Sequence, residues 1–238
     1  MKFCGLTRPG DAVVAASLGA RYVGVIFAGG PRLVDAERAA AILRDVPTEV
    51  RRVGVFARIA PEELADIARE ARLDVVQLHS DPGPGDVDAV RRHFGGEVWA
   101  VARTADESLP PGLAALFAEA DAVVLDAKVP GALGGTGVRL PWDRLARPVA
   151  AALHDGGAGS RLVLAGGLTP ENVATAVAAL SPDVVDVSSG VEAGVPGVKD
   201  HGRMQAFASA VRGGRAASAT PTSAPQRDAS SNSRTSIG

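Results

Sequence analysis

Tyr22-Val-Gly-Val-Ile-Phe27 is an unbroken apolar run with no polar alternate, the pattern of a strand buried on both faces of a parallel sheet. Val53-Gly-Val-Phe56 repeats its look. Between the two, Asp35 stands as an N-cap for a helix through Leu43, and Pro47 follows its end. Upstream, Lys2-Phe3-Cys4 reads as a short strand that ends in the turn Gly5-Leu6-Thr7. Pro9 suits the first turn of a helix there, and Asp11–Leu18 continues it to Gly19. Strand then helix is the repeating unit.

Downstream the alternation continues. Pro61-Glu-Glu opens a helix to about Ala71 with proline and acids in its first turn, as the helix dipole favours. Asp74–Leu78 is strand four, Asp86–Phe94 a helix ending at Gly95-Gly96, and Val98–Ala102 strand five. A short helix over Leu113–Ala118 leads to strand six, Ala122–Leu125, and to a glycine-rich loop from Lys128 to Gly137. A helix within Trp142–Leu153 precedes strand seven, Leu162–Ala165; a helix from Thr169 or Pro170 to about Leu180 precedes strand eight, Val184–Val187. A last helix covers about Lys199–Val211.

Eight βα units of roughly 25 residues, with near-continuous apolar strands, predict a single (β/α)8 TIM barrel over residues 1–212. An open doubly wound sheet is the alternative, but no GxGxxG fingerprint follows the first strand. Residues 213–238 are Ala, Ser, Thr, Pro and Asn with almost no large apolar side chains, and they predict a disordered C-terminal tail.

Composition narrows the function. The 238 residues are 46% hydrophobic with a formal net charge of -2 and mixed signs, so there is no electrostatic footprint for nucleic acid or an anionic membrane. One cysteine excludes an internal disulfide framework and a CxxC metal site. His79, His93, His154 and His201 are too scattered to form a local metal motif. No stretch has the apolar length of a signal peptide core or a membrane span, and the expectation is a soluble cytoplasmic protein.

In a barrel of this kind chemistry sits at the C-terminal strand ends. Those ends display Cys4, Gly30-Pro31-Arg32, Phe56-Ala57-Arg58, Gln77 with His79, Arg103, Asp126, Gly166-Gly167, and Asp186 with Ser188-Ser189-Gly190. Ala165-Gly-Gly-Leu and Val187-Ser-Ser-Gly follow strands seven and eight, where backbone N–H groups of such barrels bind phosphate. A phosphorylated substrate is the expectation; tight turns alone are the plainer alternative. Cys4 has its own plain reading as a small packed hydrophobe, and Asp126 as a cap or salt-bridged loop residue.

The order and spacing of several motifs resemble the phosphoribosylanthranilate isomerase family of tryptophan biosynthesis, from Lys2 to about Phe207. They are Lys2-Phe-Cys-Gly-Leu-Thr7, Pro31-Arg-Leu-Val34, Val53-Gly-Val-Phe56, Val76-Gln-Leu-His79, Leu125-Asp126, Gly134-Gly-Thr-Gly137, Leu164-Ala-Gly-Gly-Leu-Thr-Pro170 with Asn172, and Asp186-Val-Ser-Ser-Gly-Val-Glu192 followed by Pro196-Gly-Val-Lys-Asp200. The resemblance implies an Amadori rearrangement of a small phosphoribosyl substrate without metal or organic cofactor. It implies Asp126 as general acid, Cys4 as general base and Arg32 as partner of the anthranilate carboxylate. Gln77, His79, Arg103 and Asp186 would line the pocket, with phosphate held at Gly166, Gly167, Ser188, Ser189 and Gly190. The loop from Lys128 to Gly137 is a candidate cover.

Two departures from the family pattern stand out: Gly30 where a serine usually precedes Pro31-Arg32, and one extra residue in Ala193-Gly-Val195. The competing functions are a histidine-pathway isomerase, which has aspartate where Cys4 stands, and a non-catalytic sugar-phosphate-binding barrel. Monomer and homodimer are equally compatible with the pattern.

Overall fold

Eight parallel strands close into a ring in which each pairs with its successor and the last returns to the first. The strands are β1 (Lys2–Phe3), β2 (Tyr22–Ile26), β3 (Arg51–Phe56), β4 (Val75–Leu78), β5 (Glu97–Thr104), β6 (Ala122–Ala127), β7 (Arg161–Leu164) and β8 (Val184–Val187). They alternate with α1 (Pro9–Ser17), α2 (Ala36–Leu43), α3 (Pro61–Glu70), α4 (Pro84–Arg91), α5 (Leu113–Glu119), α6 (Trp142–Asp155), α7 (Val173–Leu180) and α8 (His201–Ala219). The computed structural model describes residues 1–104, 108–127, 141–157 and 159–219. The expected (β/α)8 barrel is the fold.

Local signals account for most boundaries. The Asp35 carboxylate accepts from the Arg38 backbone N–H at 2.7 Å, and Pro9, Pro61 and Pro84 open their helices. Helix α4 starts earlier than its sequence suggests: Pro84 begins it, and the Asp86 side chain reaches back to accept from the Gly83 N–H at 2.9 Å. Asp86 therefore works as the third residue of a cap, where the sequence suggested a helix start.

The other end of the chain corrects a larger expectation. Helix α8 does not stop near Val211 but continues to Ala219, through residues whose composition suggested disorder. Packing explains the difference. Arg215 donates to the Pro182 and Asp183 carbonyls, at 3.3 and 2.8 Å, and a Cβ on Gly214 would lie 3.0 Å from Ala174 Cα. The rest of the expected tail, residues 220–238, lies outside the described residues, as does the Lys128–Gly137 loop. Among the described residues no helix is long and apolar enough to cross a membrane.

Alternation of side chains gives the barrel two cores. Outward residues such as Phe3, Val23, Phe56, Val98, Leu125 and Leu164 pack under the helices. Inward residues Tyr22, Val53, Val75, Trp99, Val124 and Val163 fill the interior. Above that plug the inward positions turn polar, and there the cavity opens.

Candidate active site

A cavity of about 300 Å³ sits at the C-terminal end of the barrel. Cys4, Arg32, Gln77, His79, Asp126, Gly166, Gly167, Asp186, Ser188, Ser189 and Gly190 all line it, so eleven of the twelve residues nominated from sequence meet in one place. The exception is Arg103. It neighbours Asp126 in the β5–β6 register, yet its guanidinium turns away, donating to Asp81 Oδ1 at 2.9 Å and the His79 carbonyl at 2.7 Å. Arg103 braces the loop after β4 instead of lining the pocket.

Cys4 and Asp126 stand at the ends of β1 and β6, with only 6% and 5% of their surfaces exposed. Burial pushes the Cys4 thiol above its ordinary value; the Lys2 ammonium opposes that push, Asp186 adds to it and Lys199 opposes it again. When it ionises, a thiol whose pKa burial has raised gives a correspondingly strong base. Asp126 faces the same space from β6, which gives the cavity a carboxyl and a thiol to act on one molecule.

On one side of the cavity Arg32 is clamped by Glu192. Its Nε and Nη2 donate to the two carboxylate oxygens at 2.7 and 2.8 Å, a bidentate pair that ties the loop after β2 to the loop after β8. Lys199 Nζ adds a bond to Glu192 Oε1 at 3.0 Å and another to the Ser188 carbonyl at 3.0 Å, and the Gly197 N–H donates to Oε1 at 2.9 Å. Burial works to raise the Glu192 pKa, but these hydrogen bonds and cations outweigh it and hold the carboxyl at about 2.

The glycine segments form a further stretch of the cavity wall. Gly166 and Gly167 have φ of +83° and +64°, and Asn172 fixes the turn they make by donating to the Gly167 carbonyl at 2.9 Å and accepting from the Thr169 N–H at 2.9 Å. Gly190 begins as a phosphate candidate, and its geometry gives a packing reason as well: a Cβ there would collide with the Leu168 carbonyl of the neighbouring loop. The Ser188 hydroxyl and Asp186 Oδ1 are buried at this wall without a hydrogen-bond partner among the described residues. Unmet polar atoms at a cavity wall are what a polar ligand satisfies.

Three charged residues with no role readable in the sequence are built into the site: Lys2, Glu192 and Lys199. Lys2 is fully buried and donates to Gln77 Oε1 at 2.8 Å and Asp186 Oδ2 at 2.6 Å. The available signal was a lysine inside an apolar strand, which needs a buried anion somewhere. Among the described residues no three His, Cys, Asp or Glu side chains are grouped so as to hold a metal ion.

Known proteins match this chain along almost the whole barrel. The family profile described as N-(5'phosphoribosyl)anthranilate (PRA) isomerase matches residues 1–210. The N-(5'-phosphoribosyl)anthranilate isomerase of Pseudomonas aeruginosa is 40% identical over 216 residues, covering 90% of this chain and 96% of the relative. The crystal structure of phosphoribosyl anthranilate isomerase from Thermus thermophilus superimposes with a TM-score of 0.76 at 37% identity, over 89% of this chain and 98% of that one. A phosphoribosyl anthranilate isomerase solved in complex with reduced 1-(o-carboxyphenylamino)-1-deoxyribulose 5-phosphate has a TM-score of 0.74 at 31% identity, over 89% and 97%. A match of this extent, on a barrel whose cavity gathers a thiol, a carboxyl, an arginine and two glycine turns, leaves one conclusion: the chain belongs to the N-(5'-phosphoribosyl)anthranilate isomerase family.

Proposed function

We propose that this chain converts N-(5-phosphoribosyl)anthranilate to 1-(2-carboxyphenylamino)-1-deoxyribulose 5-phosphate, an Amadori rearrangement in tryptophan biosynthesis. The observation that carries the residue assignment is the meeting of Cys4 and Asp126 in one cavity. Asp126 gives a proton to the furanose oxygen as the ring C–O bond breaks, which leaves an iminium ion. Cys4 thiolate then takes the C2 proton, and the C–H electron pair neutralises the iminium to an enol that tautomerises to the ketone. One acid and one base suffice.

The rest of the cavity orients the substrate. The Gly166-Gly167 turn and Ser188–Gly190 receive the phosphate through backbone N–H groups and the Ser188 hydroxyl. Arg32 meets the anthranilate carboxylate through Nη1, the nitrogen opposite its Glu192 pair. Asp186 Oδ1, unmet and buried, accepts from a ribose hydroxyl, and Gln77 and His79 line the floor and side. The reading extends to a cytoplasmic enzyme that works as a monomer or homodimer.

Loss of anthranilate fluorescence on turnover tests the assignment directly. The wild type should turn over, and Cys4→Ser and Asp126→Asn should each lose about a thousandfold or more in kcat with unchanged circular dichroism. Near-normal kcat in either variant removes that residue from the mechanism. A wild type that binds the substrate without converting it would leave only a sugar-phosphate-binding barrel.

A further inference from the structure

Lys2 lies directly under the thiol. Both residues point inward from the same strand end, two positions apart, and Gly24 on β2 is the gap into which they fit: a Cβ at Gly24 would lie 3.0 Å from Cys4 Sγ and 3.1 Å from Lys2 Cε. An ammonium has three protons to donate. Two go to Gln77 Oε1 and Asp186 Oδ2, and the Cys4 sulfur is the third acceptor within its reach. The Trp99 ring, 5.9 Å from Nζ, closes the space below and keeps water out.

The charges that act on Cys4 come from four places in the fold, while Asp126 and His79 are the other titratable groups lining its cavity. Lys2 lies on β1, Asp186 on β8, Lys199 just before α8, and Arg32 on the loop after β2, with Glu192 bound to the last two cations. Three cations stand against two carboxylates. Asp126, protonated in its proposed role as acid, adds no charge. A thiolate at Cys4 therefore balances the group, whereas a neutral thiol leaves one buried positive charge unmatched, and low-polarity surroundings penalise unmatched charge.

We propose that Lys2 is a positioning residue for the isomerisation, a buried counter-ion that stabilises the Cys4 thiolate, the form that accepts the C2 proton. The proposal rests on Cys4 being the base. Through the step Lys2 keeps all its protons: sulfur gains the C2 proton, the C–H pair neutralises the iminium, and the ammonium loses only the partner charge it had balanced. Burial alone would push the thiol far up, and the Lys2 ammonium is the largest influence against it.

The test compares two full-length variants that differ only in the ammonium: Asp186→Asn and Lys2→Met/Asp186→Asn. Removing the carboxylate from both avoids leaving an uncompensated buried anion in the second. Cys4 is the sole cysteine, so thiolate absorbance near 240 nm against pH, with a Cys4→Ser blank, reports its titration. The midpoint should be at least about one pH unit higher without Lys2, which is about tenfold less thiolate at any pH below both midpoints. The rising limb of the kcat/KM profile should move with it, which a purely structural lysine would not cause. Coincident midpoints overturn the proposal.

Should the double variant fail to fold, the wild type decides. The chain has three lysines, Lys2, Lys128 and Lys199; with 13Cε-lysine labelling, and the other two assigned by Lys128→Arg and Lys199→Arg, the Lys2 signal should inflect at the Cys4 midpoint and lose that inflection in Cys4→Ser. A Lys2 signal indifferent to the thiol overturns the proposal. The base assignment has its own separate readout: a Cys4→Ser enzyme that keeps turnover defeats that assignment and the catalytic part of this one, whereas coincident midpoints with an inactive Cys4→Ser defeat only the role of Lys2.

Discussion

The two ends of this barrel both carry networks of charge, half-buried at one end and buried at the other, and they use them differently. At the N-terminal end Glu97 is engaged through both oxygens, by Arg51 at 3.4 Å and by Arg161 and the Trp99 indole, at 3.0 Å for the indole, while Arg161 also donates to the Tyr22 hydroxyl. At the C-terminal end, among the described residues, Asp186 is engaged through one oxygen only and Ser188 Oγ has no partner. A carboxylate satisfied on both sides holds strands together. A carboxylate left half satisfied in a cavity has capacity to bind something else, at some expense to stability.

That contrast sets the size and kind of effect expected from substitution. The largest is expected of Asp126 and Cys4, the proposed acid and base at the upper end, whose replacement should collapse kcat and leave the fold standing. At the lower end, Arg161→Met should do the reverse: it leaves Glu97 and Tyr22 short of a donor, lowers stability by about 1–3 kcal/mol and leaves kcat per folded molecule unchanged, as thermal melts and active-site-normalised rates would record. A large loss of kcat in Arg161→Met would break the comparison. Arg32→Lys comes next, because an ammonium cannot hold Glu192 side-on and still meet a planar carboxylate. KM should rise about tenfold with a smaller change in kcat, and an unchanged KM would remove Arg32 from anthranilate binding.

The pH profile is a finer probe of the upper end. Because burial raises the Cys4 thiol, the thiolate is the minor form near neutrality, and kcat/KM should climb with pH toward a midpoint above the ordinary thiol range. A profile already flat through neutrality would mean that the working base is something else. The smallest effect concerns the end of α8. Truncation after Arg212 should leave kcat unchanged yet lower Tm by a few degrees, since it deletes the Arg215 bonds to the loop before β8; truncation after Ala219 should change neither.

The fold was legible because parallel strands covered on both faces are written as apolar runs, and Tyr22–Phe27 and Val53–Phe56 cannot be read as half-exposed edges. Strand order then placed Cys4, Asp126 and the glycine pairs at one end without further information. What stayed hidden depends on where long side chains point. Arg103 occupies an inward register position and still leaves the cavity for Asp81, a choice set by a loop that periodicity does not describe. Glu192 lies in a motif quoted from the sequence, but its grip on Arg32 spans 160 residues. The Arg-Gly-Gly-Arg-Ala-Ala-Ser stretch from Arg212 looked like tail because small residues signal neither core nor helix until a surface such as Ala174 is set against them.

Lys2 and Asp186 are separated by 184 positions and sit on the two strands whose pairing closes the ring. A chain that has assembled seven strands and not the eighth has most of its hydrophobic packing, yet it lacks both the counter-ion of Lys2 and the serine turn after β8. Long-range contacts of this kind form late and slowly. Recovery of catalysis on refolding should therefore trail recovery of helical signal, and the enzyme's own turnover becomes a clock for the moment the last strand docks.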